Sequence, residues 1–130
     1  MGDLLSQADQ APTARTILVI DNERAILHLT QTILRTHGYR VLIAEDGHSA
    51  VEMYRQDPTA IDVVLVDQNM PGLSGLETMN ELLAINPQQR IWLMTGGEPP
   101  EVSWGVNNPH CGFLSKPWTT LQLLEAVRGM

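Results

Sequence analysis

One lysine and one cysteine stand in the whole chain of 130 residues, and both scarcities narrow its chemistry. Cys111 alone makes neither an internal disulfide nor the cysteine pair of a structural zinc site, so a reduced, cytoplasmic setting is expected. Basic residues number 8 against 15 acidic ones, a formal net charge of −7 with a pI near 4.9. The basic residues are scattered along the sequence. Direct nucleic-acid binding needs a basic face and is not expected. No apolar run approaches the roughly 18 residues that span a bilayer. The opening MGDLLSQADQAPTAR lacks the charged-then-apolar order of a secretory signal, so no membrane association is expected either.

What is present suits a single globular domain. Hydrophobic residues make up 43% and charged residues 18%, too apolar a mixture for a disordered chain. The length allows one sizeable core. Residues 1–15 read as a flexible tail and 16–130 as the domain.

Within the domain, apolar runs alternate with helical patterns. Thr16–Ile20, Arg40–Ala44, Ile61–Val66, Arg90–Thr95 and Cys111–Ser115 read as buried strands. Between them lies an amphipathic helix from Glu23 to His37, with a stripe of Ile26, Leu29, Thr30, Ile33 and Leu34, stopped by Gly38. A second helix opens at Asp46-Gly47 and ends before Pro58. Ser74 and Glu77 form a capping box for a third, reaching Ile85. Thr119 and Gln122 form another for the final helix, with a stripe of Leu121, Leu124 and Val127. The interval GGEPPEVSWGVNNPH permits only a short or irregular fourth helix near 98–107, because its glycines and asparagines are poor helix formers. The pattern predicts an α/β fold: a doubly wound, five-stranded parallel sheet with helices on both faces.

In such sheets ligands gather beyond the carboxyl ends of the strands. Four strand ends here carry polar groups: Asp21-Asn22, Asp67, Thr95 and Lys116-Pro117. An acidic residue after a strand is by itself a common turn or cap residue. Four ends in agreement carry more weight. A carboxylate can attack phosphorus to give an acyl phosphate. Asp21 and Asp67 with carbonyl and water oxygens suit a hard ion such as Mg²⁺. Phosphoryl transfer then needs mainly positioning and charge neutralisation, which Lys116 and the Thr95 hydroxyl can supply.

These residues sit in ILVIDNE at 17–23, LVDQNMPGLSGLE at 65–77, LMTGG at 93–97 and FLSKPW at 113–118. With that spacing, the sequence from about Thr16 to Arg128 resembles the receiver domain of bacterial two-component response regulators. The resemblance implies the flavodoxin-like strand order 2-1-3-4-5. It implies Asp67 as phosphoacceptor, and a Mg²⁺ pocket of Asp21, Asn22, Asp67 and the Asn69 carbonyl. Thr95 and Lys116 would contact the phosphoryl group, and Phe113 would be the aromatic that changes rotamer with it. Lys116-Pro117 would be a cis peptide bond. The partner implied is a histidine kinase or histidine phosphotransfer protein, with an output the sequence does not name. Signalling would pass through the surface of the fourth helix, fifth strand and final helix, a face through which receivers often form homodimers. The domain would be a signalling module and not an enzyme, although it assists its own phosphorylation and dephosphorylation.

The pattern departs from the family at Asn22, where a second carboxylate is usual. Weaker Mg²⁺ binding is expected. That substitution keeps open a second reading, a binding module that is poorly phosphorylated. A third reading is a phosphohydrolase with Asp21 as nucleophile. Such enzymes normally carry D-x-D at that position, where this chain has Asp21-Asn22-Glu23. The four histidines read as surface or packing residues, and Trp118 as a packing residue after Lys116-Pro117.

Overall fold

The computed structural model describes residues 14–98, 100 and 109–129. Five parallel strands, β1 (Thr16–Ile20), β2 (Arg40–Ala44), β3 (Val63–Asp67), β4 (Arg90–Thr95) and β5 (Cys111–Ser115), form one sheet in the order β2-β1-β3-β4-β5. Four described helices cover it: α1 (Arg24–Thr36), α2 (Gly47–Gln56), α3 (Gly75–Ile85) and α4 (Thr120–Arg128). A single 3₁₀ turn, Pro58–Ala60, precedes β3 and is not visible in the apolar pattern. The interval expected to hold a poor helix near 98–107 lies almost wholly outside the described residues, as does Trp104.

Successive strand residues point to opposite faces, so each apolar strand feeds two cores. Leu18, Ile20, Val64, Val66, Ile91 and Leu93 pack against α2 and α3 through Ala50, Val51, Tyr54, Met79 and Leu82. Ile17, Val19, Val63, Leu65 and Met94 pack against α1 and α4 through Leu27, Leu34, Leu123, Leu124 and Val127. All five residues of β3 are buried, as expected of a central parallel strand covered on both sides.

Helix ends follow the capping residues. Ser74 accepts from the Glu77 N–H, and Glu77 accepts from the Ser74 N–H in return. Thr119 and Gln122 do the same at α4. Asp46 accepts the Ser49 N–H at the start of α2. Gly38 adopts φ +92, the left-handed turn that ends α1.

Two stripes differ from the spacing-based expectation. On α1 the buried residues are Leu27, Thr30 and Leu34, while Leu29 is 50% exposed. On α4, Leu123, Leu124, Ala126 and Val127 are buried and Leu121 is 62% exposed. Apolar residues surround much of each helix, so spacing alone does not select which arc meets the sheet.

Candidate functional site

β1 and β3 end side by side, and each delivers a carboxylate to the same rim. Asp21 is fully buried and Asp67 is 4% exposed. The Glu23 N–H donates to Asp21 Oδ1 at 2.9 Å. The ammonium of Lys116, which follows β5, reaches across the sheet edge. Its Nζ lies 3.0 Å from Asp21 Oδ2 and 3.0 Å from Asp67 Oδ1. The Lys116 N–H also donates to the Thr95 carbonyl at 2.8 Å, tying the lysine to the end of β4. The Lys116-Pro117 peptide bond is cis.

One cation thus serves two buried carboxylates, and the cluster keeps a net negative charge. Burial pushes the Asp67 carboxyl above its usual value; Lys116 pulls it back, and the charges of Asp21 and then Glu23 add to the rise. For Lys116, burial alone would lower the ammonium. Its hydrogen bonds to Asp67 and Asp21 outweigh this and hold it above the ordinary lysine value.

Thr95 ends β4, 3% exposed, and its hydroxyl finds no hydrogen-bond partner among the described residues. Such a group costs about 1–3 kcal/mol. Buried hydroxyls are normally satisfied, so this one is free to donate to a group at the rim.

The loop after Asp67 is held by Gln68, a residue the motif reading passes over. Its N–H donates to Met94 O at 2.9 Å, and its carbonyl accepts from Gly75 at 3.1 Å. Its side-chain Oε1 accepts from the Leu76 N–H at 2.8 Å. One residue therefore pins β3, β4 and the start of α3 together. A Cβ on Gly75 would fall 2.7 Å from Gln68 Cα and closer still to the Asp67 carbonyl oxygen, so only glycine lets α3 begin here. Nothing in the sequence singles out Gln68, because its role arises from contacts with two other elements.

The remaining expected residues lie nearby with different exposure. Asn22 and Asn69 are exposed at the mouth of the rim. Phe113 is half-buried on β5 and packs against the α2–α3 side of the core. Among the described residues no three histidine, cysteine, aspartate or glutamate side chains gather closely enough to hold a metal ion unaided. Two buried carboxylates, with the amide at 22 and the carbonyl at 69, are nonetheless an all-oxygen donor set. That set fits a hard divalent ion which keeps several of its waters.

Beside the rim runs a groove of about 310 Å³ lined by Glu23, Ile26, Leu29, Lys116, Pro117 and Trp118. The exposed Leu29, misplaced by the helical stripe, is part of it.

Known proteins share this fold. A response regulator receiver domain protein from Clostridium thermocellum superposes with a TM-score of 0.80 at 30% identity, covering 88% of this chain and 91% of its own. The chemotaxis protein CheY4 of Vibrio cholerae gives a TM-score of 0.79 at 25% identity, with 89% and 98% covered. The two-component response regulator ARR10 of Arabidopsis thaliana is 27% identical over 110 residues, 84% of this chain and 20% of the plant protein. The chain therefore spans about a fifth of that relative's length. The family model of the response regulator receiver domain matches residues 17–128. On that match, which takes in all but the first residue of the strands and helices described above, the chain belongs to the response regulator receiver domain family of two-component signalling systems.

Proposed function

We propose that Asp67 receives a phosphoryl group from the phosphohistidine of a histidine kinase or phosphotransfer protein, and that the added charge switches the surface that includes β5 and α4. The observation that carries this reading is the shared ammonium of Lys116, set beside the unpartnered Thr95 hydroxyl. Lys116 holds Asp67 Oδ1, which leaves Oδ2 as the oxygen to attack phosphorus in this reading. The new O–P bond forms as the donor's P–N bond breaks, and the leaving imidazole keeps the bond electrons and takes up a proton. Lys116 and the Thr95 hydroxyl then hold phosphoryl oxygens. Asp21, Asn22, Asp67 and the Asn69 carbonyl would hold Mg²⁺, which supplies positive charge to those same oxygens. The product adds a charge of roughly −1.5 to −2, enough to bias a two-state surface that includes Phe113.

Asp21 is a poor nucleophile by comparison: it is fully buried, and both of its oxygens are already engaged. Asn22 favours one second reading, a binding module with weak phosphorylation. Incubation with acetyl phosphate and Mg²⁺ decides between them. Stoichiometric, base-labile labelling that disappears in Asp67→Asn supports the phosphoacceptor. Labelling retained in that variant refutes it, and no labelling of the unsubstituted chain favours the binding module.

A further inference from the structure

Glu23 sits beside Asp21 at the site, and none of the roles above uses its side chain. We propose that Glu23 supplies, through a metal-bound water, the acidic charge that Asn22 withholds from the divalent-cation pocket. The inference rests on the phosphoacceptor reading of Asp67 and concerns how that site compensates for its missing carboxylate.

Charge is the first argument. Asp21, Asp67 and Lys116 together carry a formal −1, and Asn22 adds nothing. A divalent cation is poorly matched by one net negative charge. Glu23 would bring the pocket to −2, the value it would have with a carboxylate at position 22.

Position is the second argument. The Glu23 N–H donates to Asp21 Oδ1 at 2.9 Å, which fixes its backbone against the pocket. Glu23 is one of the residues lining the groove that also includes Lys116.

The carboxylate of Glu23 is also not consumed by its own helix. Glu23 is the N-cap residue of α1, yet its side chain makes no capping hydrogen bond. Glutamate is not among the side chains that cap well, so helix capping does not account for it. The adjacent Arg24 does not neutralise it either, because Arg24 pairs with Glu45 at 3.1 Å. Since no three acidic side chains converge on one point among the described residues, Glu23 acts at one water's remove and not as a direct ligand. Ions that retain their waters accept this arrangement readily.

The competing explanation is that Glu23 only opposes the positive end of the α1 dipole. That role would alter helix stability and leave the affinity for Mg²⁺ untouched. Calorimetric titration of Mg²⁺ into the full chain separates the two, using Glu23→Gln in the natural background and again with Asn22→Asp. We expect Glu23→Gln alone to weaken Mg²⁺ binding by about five- to tenfold. In the Asn22→Asp background we expect a loss of about twofold or less, with unfolding midpoints of the metal-free proteins nearly unchanged. Equal affinities with and without Glu23 would overturn the proposal, as would equal losses in both backgrounds. Mg²⁺ binding that Asp67→Asn leaves unaffected would instead place the ion elsewhere and overturn the underlying site reading.

Discussion

Lys116 Nζ is equidistant from Asp21 Oδ2 and Asp67 Oδ1, at 3.0 Å from each, so one ammonium bridges the carboxylates of two neighbouring strands. Removing it would leave two buried negative charges facing each other without a cation. Breaking a buried pair in this way costs about 3–5 kcal/mol. Lys116→Met is therefore expected to lower the stability measured in urea by about 3 kcal/mol. Adding Asp67→Asn should recover part of that loss, since one of the stranded charges is gone.

Asp67→Asn alone should raise stability near neutral pH, and the gain should vanish in acid. The folded protein holds the Asp67 proton more tightly than the unfolded chain does, because its carboxyl lies above the ordinary 3.8. Such a group contributes most when protonated, below the unfolded value, and loses that contribution as pH rises through the folded value. Asparagine mimics the protonated form. Denaturation curves of both proteins should thus coincide most nearly below pH 3.8 and separate at higher pH. A gap independent of pH would contradict the assignment.

Burial pushes the Cys111 thiol up to about 11. The thiolate is the reactive form, so alkylation by iodoacetamide at pH 7 should be slow in the folded protein. Unfolding in urea should accelerate it sharply. Fast modification of the native protein would show that the thiol is neither shielded nor raised.

Gly112→Ala tests how β5 packs against β4. A Cβ there would approach Trp92 Cζ3 to 2.7 Å, with the ring's other atoms close behind. The indole cannot swing away without losing its N–H bond to the Ala126 carbonyl at 2.8 Å. Overpacking of this kind costs about 1–3 kcal/mol. Thermal unfolding should show the loss, and Trp92→Phe should make the same alanine more tolerable.

Much of this architecture is legible in the sequence because it depends on local signals. The β-branched runs give the strands, and Ser74–Glu77 and Thr119–Gln122 mark helix starts that the structure repeats. Asp21, Asp67, Thr95 and Lys116 are found together because each follows or ends a strand, and parallel strands bring their ends to one edge. Less visible are the features set by neighbours. Which of Leu27 and Leu29 faces the sheet depends on how α1 is rotated, and both fit an apolar helix. Gln68 looks like any polar residue after an aspartate until α3 is placed over it. Glu23 reads as the ordinary start of an amphipathic helix until its missing cap bond is seen.

The reach of Lys116 to Asp21 spans 95 residues of sequence. No hairpin, helix pair or other early, local piece of the fold contains the site, since it needs the first, third and fifth strands in register. Forming it carries the entropic cost of closing the loops between those strands. A ligand captured there would draw on the whole domain's cooperativity, so its binding would slow global unfolding and not merely stiffen one loop. Chains that stop before β5 could fold their first helices and still carry both aspartates, but they would lack the cation that makes those aspartates a site.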